Sequence, residues 1–293
     1  MRVGTAFRYD QLAASISSSE AKMLAAQNRA ITGKRINAPS DDASGTRQLL
    51  GIGEIRKGIA AYTKNLDVAK GSLTVTDATY GDMGELMQQA QSIAVEGANT
   101  TLNENQRANL VAQIGDIQMR LVSLGNSQGP DGRYLFSGQA TDTKPFSVDT
   151  SGALSYAGNA VRPALETGPG ETAKVGETGG VVSDAYASLA KLKDSLNAGD
   201  VSAISNGRLD ELKTSADALV SARADVGRQE NALDATRAVH GRRDAELEQR
   251  ASDIGEVDYA SALVDYTAAQ SAYDAAIKVA SKGFTTGLMD YIR

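Results

Sequence analysis

Between Ile52 and Ala94 the apolar positions alternate at spacings of three and four without a slip. They run Ile52, Ile55, Ile59, Tyr62, Leu66, Ala69, Leu73, Thr76, Tyr80, Met83, Met87, Ala90 and Ala94. Such spacing lays one narrow seam along a helix and favours coiled-coil packing. At about 1.5 Å per residue the stretch makes a helix roughly 65 Å long. Gly71, Gly81 and Gly84 weaken it by about 1 kcal/mol each, so tertiary contacts must hold it. After a polar break at Asn99–Asn105 a second seam runs Leu110, Ile114, Ile117, Leu121 and Leu124, and Gly125-Asn126 stops it. Further on, Ser183 reads as the N-cap of a helix reaching about Leu196, and Asn197-Ala198-Gly199-Asp200 as a turn. Then Leu212, Leu219, Val226, Leu233, His240, Leu247 and Ile254 recur every seven residues. The companion positions Ser215, Ala222, Gln229, Thr236, Arg243 and Arg250 are mostly polar. One apolar ridge with a wet flank suits a helix packed against a bundle.

The two ends repeat the pattern. The amino-terminal seam is Tyr9, Leu12, Ile16, Ser19, Met23, Ala26 and Ala30, with Gly33 after it. The carboxyl-terminal seam is Tyr259, Leu263, Tyr266, Gln270, Tyr273, Ile277, Ala280 and Phe284, loosened by Gly283 and Gly287. The two end helices can pair, yet a two-helix unit leaves apolar surface in water. A fully buried Leu, Ile or Phe contributes roughly 1.5–3 kcal/mol, and two helices alone recover only part of that. The ends are therefore expected to order fully only when neighbouring copies cover the remaining faces, which is folding coupled to assembly. The competing expectation is that they fold back on the main bundle.

The middle reads differently. Residues 127–180 hold ten Gly and four of the five Pro, and these interrupt short alternating runs. Examples are Arg133-Tyr134-Leu135-Phe136 and Ala153-Leu154-Ser155-Tyr156, with turn signals at Gly129-Pro130-Asp131-Gly132 and Asp149-Thr150-Ser151-Gly152. Residues 40–129 and 170–293 hold no Pro, a strong helix breaker. The fold class predicted is mainly α: a long antiparallel helical bundle or coiled coil built from the amino- and carboxyl-terminal segments, with a small inserted β-rich domain. The division follows as 1–35 plus 259–293 for a terminal coiled-coil polymerisation domain, 36–126 plus 183–258 for the long-helix bundle, and 127–182 for the outer insert.

Composition narrows the function classes. Among 293 residues, 30 Lys and Arg stand against 36 Asp and Glu, a net charge of −6. Nucleic acid or an anionic membrane as main partner needs a basic surface instead. With no Cys, disulfides and thiolate metal sites are excluded, and a single His rules out a zinc site made of several imidazoles. Ala supplies 46 residues and Trp none, which suits slender helices. Residues 1–10 carry three charges and no apolar run of signal-peptide length, and no segment reaches the roughly 20 apolar residues of a membrane span.

Candidate chemistry is thin. Ser40-Asp41-Asp42 reads as an N-cap followed by two carboxylates in a first helical turn rather than as an acid pair. Gly33-Lys34-Arg35 lacks the first glycine of a phosphate loop, since position 28 is Asn, so Lys34 and Arg35 read as surface or intersubunit charge. Gly51-Ile52-Gly53 lacks the third glycine of a dinucleotide site. His240 reads as a packing histidine, Ser137 has no nucleophile-elbow glycines, and the Asn99-Thr100-Thr101 sequon reads as chance. Tyr259, Tyr266 and Tyr273, seven apart, read as packing rather than as a ligand ladder. No catalytic residue, metal site or cofactor is assigned.

One stretch is diagnostic. Thr32-Gly33-Lys34-Arg35-Ile36-Asn37-Ala38-Pro39-Ser40-Asp41-Asp42-Ala43 resembles the amino-terminal signature of bacterial flagellins and their relatives. Gly132-Arg133-Tyr134-Leu135-Phe136-Ser137-Gly138 with Pro145-Phe146 resembles the start of the outer domain in the hook-associated members of that family. Ala222-Arg223-Ala224-Asp225-Val226-Gly227-Arg228-Gln229-Glu230-Asn231-Ala232-Leu233, Asp258-Tyr259-Ala260-Ser261-Ala262-Leu263 and the ending Leu288-Met289-Asp290-Tyr291-Ile292 are similar to the same members. Gln229 and Glu230 depart from their pattern, as does the trailing Arg293. The motif positions are Gly33, Arg35, Asp41, Asp42, Arg133, Tyr134, Phe136, Gly138, Arg223 and Gly227.

The resemblance implies a structural component of the flagellum, not an enzyme, that joins the flexible hook to the rigid filament; the alternative is a flagellin building the filament itself. It implies export unfolded through the flagellar type III channel without a cleaved signal peptide, and an extracellular location. The implied partners are copies of itself in a ring, an adjacent hook-associated protein on the hook side, flagellin or adjacent junction subunits on the filament side, and a cytoplasmic export chaperone. Nucleic acid and membrane are not among them. The expected subunit interface draws on Tyr9, Leu12, Ile16, Met23, Tyr259, Leu263, Tyr266, Tyr273, Ile277 and Phe284.

Overall fold

The computed structural model describes residues 2–289, and the side chains of Phe7 and of residues 9–282. The seam of the longest predicted helix lies in α2 (Ala43–Gly97), and the second seam in α3 (Glu104–Gly125). The break between them ends in a capping box: the Asn103 side chain accepts from the Gln106 N–H while Gln106 reaches back to the Asn103 N–H. Four short strands follow, β1 (Phe146–Val148), β2 (Leu154–Tyr156), β3 (Ala164–Gly168) and β4 (Glu171–Lys174). Then come α4 (Gly180–Ala198), the single turn α5 (Val201–Ala203), a π-helical segment Ile204–Arg208, and α6 (Leu209–Gly255). The amino- and carboxyl-terminal helices are α1 (Arg2–Thr32) and α7 (Tyr259–Met289).

The chain forms two compact units, Met1–Gly58 with Arg242–Arg293, and Ile59–Gly241. In the second unit the seam residues Leu66, Ala69, Leu73, Thr76, Tyr80, Met83, Met87, Ala90 and Ala94 of α2 are buried. They meet Leu110, Ile114, Ile117 and Leu121 of α3, Leu189, Leu192 and Leu196 of α4, and Leu212, Leu219, Val226 and Leu233 of α6 in one core. Charges flank the seam. Arg223 makes a two-pronged pair with Asp77 at 3.0 Å, Lys70 pairs with Asp234 at 2.6 Å and Arg237 with Asp67 at 2.6 Å, while Thr74 donates to Glu230 at 2.9 Å. As numbers rise along α2 they fall along α6, so the two helices run antiparallel. In the first unit Arg56 and Asp244 make the same kind of contact at 2.8 Å.

The insert is two separate hairpins, not one sheet. β1 pairs antiparallel with β2 across the predicted Asp149–Gly152 turn, where the Asp149 carboxylate accepts from the Ser151 and Ala153 N–H groups. β3 pairs antiparallel with β4, with a bulge at Glu166/Gly168. Only half of the strand expectation holds. Leu154–Tyr156 is a strand, but Arg133–Phe136 turns, with a single bridge from Tyr134 to Gln128. The reason is burial: Leu135, Phe136 and Ser137 are consecutive and all buried, which a strand with alternating faces cannot do. Phe136 packs edge-on to Tyr80 at a centroid distance of 5.3 Å and so pins the insert to α2.

Ser183 is not an N-cap. Helix α4 starts earlier, capped by Gly179, whose N–H donates to the Tyr156 hydroxyl at 3.0 Å. The Tyr156 ring lies where a Cβ on residue 179 would sit, so only glycine admits this start. The predicted turn at the other end is present: Gly199 is left-handed and Asp200 caps the next turn through the Ala203 N–H.

Candidate assembly surface

Helix α1 packs on α7. On α1 the predicted seam is the covered one, with Tyr9, Leu12, Ile16, Ser19, Met23 and Ala30 half-buried and Ala26 buried. On α7 the covered stripe is Ala262, Tyr266, Ala269, Tyr273, Ala276 and Ala280. This corrects the expected seam: Tyr259, Leu263, Gln270 and Ile277 are exposed, and Leu263 and Ile277 keep 47% and 42% of their surface. Two stripes lie side by side on α7, one of Ala and Tyr, one richer in Leu and Ile. The covered stripe has Ala at four of its six positions, with Tyr266 and Tyr273 between them. Phe284 lies outside the described side chains, and Asp290-Tyr291-Ile292 outside the described residues.

The expected interface set thus divides. Tyr9, Leu12, Ile16, Met23, Tyr266 and Tyr273 serve the pair within the chain, while Tyr259, Leu263 and Ile277 point away from it. Phe7, Leu24, Ile31, Val264 and Val279 join the outward set and were missed by the seam. Their signal was available as large apolar residues off the seam, where a solvated helix carries charge. Phe7 is 68% and Ile31 75% exposed. Single exposed apolar residues are ordinary; here several fall on one helix pair.

The signature loop follows α1. Gly33 is left-handed, with φ of 67°, and its carbonyl accepts from the Val257 N–H at 3.0 Å. The Arg35 N–H donates to the Gly255 carbonyl at 2.8 Å, and its guanidinium donates from Nε and Nη2 to the Ile254 carbonyl at 3.0 and 2.7 Å. Nη2 also pairs with Asp42 at 3.0 Å. Arg35, read as surface or intersubunit charge, keeps 44% of its side chain exposed while its Nε and Nη2 donors bond within the chain. Ser40 is not the cap either. Asp42 caps α2 by accepting from the Gly45 N–H at 2.8 Å, while Asp41 accepts from the Asn37 and Ala38 N–H groups, both at 2.9 Å. Backbone donors hold both carboxyls below the usual carboxylate range, helped at Asp42 by Arg35.

In the insert, the Arg133 N–H donates to Asp131 Oδ1 at 3.2 Å, and the Tyr134 N–H to the Thr141 carbonyl at 2.9 Å. Gly138 has φ of 62°, and a Cβ there would sit 2.4 Å from the Asn159 carbonyl oxygen. Gly138→Ala therefore lowers stability by about 2 kcal/mol, read as a lower urea midpoint at unchanged slope. Glu177 is 3% exposed and pairs with Arg162 at 2.6 Å. Burial outweighs that attraction and pushes the Glu177 carboxyl up. Tyr80 is pushed up by burial too, with Glu177 adding to it. On α6, Arg223 holds Asp77, while Gly227 has open space beside it.

His240 stacks on Tyr62 at a centroid distance of 5.9 Å, and its Nε2 lies 2.6 Å from the Thr167 carbonyl. A carbonyl only accepts, so Nε2 carries a proton and the ring is a latch between α6 and β3. Ser137 donates to the Tyr134 carbonyl at 3.1 Å. Among the described residues no three His, Cys, Asp or Glu are grouped to hold a metal ion, and no helix is long and apolar enough to cross a membrane.

The bacterial flagellin N-terminal helical region matches residues 3–141. Flagellar hook-associated protein 3 of Escherichia coli K12 is 25% identical over 95% of both chains. The chain is similar to the flagellin family. Within it the resemblance to flagellins proper is shorter: flagellin of Listeria innocua is 26% identical over 41% of this chain and 42% of its own. A structure from Vibrio parahaemolyticus, assigned as a flagellar hook-associated protein, superposes with a TM-score of 0.62 at 23% identity, over 74% of this chain and all of that one. The relative matched over most of its length is thus a flagellar hook-associated protein, while the flagellin match covers less than half of either chain.

Proposed function

We propose that the chain builds the ring between hook and filament through its paired terminal helices, 1–35 with 259–293. The outward apolar residues of α1 and α7 carry the reading, because they ask for neighbouring copies to cover them. The long-helix part, 36–126 with 183–258, and the insert, 127–182, make up the rest of the subunit. On the hook side the neighbour is another hook-associated protein; on the filament side it is flagellin or an adjacent junction subunit. The protein leaves the cell unfolded through the flagellar export channel, and a cytoplasmic chaperone holds its carboxyl segment beforehand. The absence of Cys agrees with passage unfolded through a channel, since no disulfide can trap the chain.

Deletion of the gene, followed by electron microscopy and assay of the medium, tests this. The expected result is bare hooks with monomeric flagellin shed into the medium. Missing filament without shed flagellin identifies the chain as the filament subunit and overturns the junction reading.

A further inference from the structure

The linkers that lead into the two terminal helices are paired with each other. The α1–α2 linker meets the α6–α7 linker as an antiparallel bridge, Lys34 opposite Glu256. The bridge is closed by the Arg35 N–H on the Gly255 carbonyl and the Val257 N–H on the Gly33 carbonyl. Arg35 then spans further than the bridge. Its guanidinium sits on the Ile254 carbonyl in the last turn of α6, and also holds Asp42, which caps the first turn of α2. A cation is favoured at the negative end of α6, and an anion at the positive end of α2. The ion pair therefore joins two oppositely polarised helix ends, and each charge is useful twice. Asn37 closes the loop by donating to the Lys34 carbonyl at 2.9 Å, and Ile36 is buried beneath it. The tight fit shows at Gly45, where a Cβ would fall 2.5 Å from Ile36 Cδ1.

We propose that the 33–42 loop is an intrachain lock: Arg35 and Asp42 tie the carboxyl end of α6 to the amino end of α2, setting both linkers as one joint that holds the terminal helices for assembly. On this account Arg35 and Asp42 are positioning residues and not contacts between subunits. The consequence for assembly rests on the junction reading above; the consequence for the isolated subunit does not.

Amide hydrogen exchange on the dilute full-length subunit separates the two. Arg35→Ala raises exchange at the Arg35 and Val257 amides at least tenfold, while amides of Ile114–Leu121 in the core are unchanged and so report an intact fold. Arg35→Lys, which keeps the charge and one donor group, falls between. Both variants are then supplied to a deletion strain, and filament attachment falls in the same order as linker protection. If linker exchange is unchanged and attachment alone fails, Arg35 is an intersubunit contact and the lock is wrong. If exchange rises while attachment is normal, the joint exists but does not serve assembly, and the positioning role falls. If neither changes, the proposal falls entirely.

Discussion

Leu263→Asp and Ile277→Asp abolish incorporation of the chain at the hook and leave the melting temperature of the dilute subunit within about 2 °C of the parent. The asymmetry follows from exposure. Both side chains stand clear of the α1–α7 seam, so in the free subunit they are surface positions, where substitutions change stability by about 0.5 kcal/mol or less. In an assembly each would be covered by a neighbour. Losing a buried Leu or Ile removes about 2 kcal/mol, and burying a carboxylate without a partner costs about as much again or more. A sum near 4 kcal/mol weakens each contact by roughly a thousandfold. Sedimentation of assembled hooks and thermal unfolding of the monomer check the two halves. Equal damage to assembly and to the monomer would show that these side chains support the fold. Tyr266→Asp is the contrast: Tyr266 lies in the covered stripe, and its loss loosens the helix pair itself.

Arg162→Ala lowers the stability of the subunit at neutral pH by about 3 kcal/mol, because it leaves the Glu177 charge buried and unpaired. Glu177→Gln is neutral or stabilising at the same pH. The folded-state carboxyl titrates above its unfolded value, since burial outweighs the pull of Arg162. Its favourable contribution is therefore full below the unfolded value and is lost as pH rises through the folded one. The parent and Glu177→Gln converge in acid, and the variant gains relative to the parent towards neutrality. Adding Glu177→Gln to Arg162→Ala recovers most of the loss, which urea unfolding of all four proteins measures as a coupling energy. A loss that persists in the double variant would assign Arg162 a packing role instead of a charge role.

The long helices were legible because their heptads are long and regular: the positions read from Leu66 to Ala94 and from Leu212 to Leu233 are core in the structure. The motif loop was visible as a motif, but its work was not, because the partners of Arg35 lie some 220 residues away at Ile254 and Gly255. Arg133–Phe136 misled because alternation over four residues also fits a turn that buries three consecutive side chains. Glu177 carried no signal, since a lone Glu in a Gly-rich stretch looks solvated until Tyr80 and Arg162 enclose it.

Period and composition alone determined that this protein is helical, interrupted once by a strand-rich insert, and without the residues for redox or metal chemistry of the thiolate kind. Those are local properties, set by side-chain spacing and by which residue types are present. Only the tertiary structure decided which of two adjacent stripes on α7 is covered, and that Arg35 closes a joint. Each depends on which distant segments meet, as Arg35 meets backbone acceptors at Ile254 and Gly255, and spacing along one helix does not encode that.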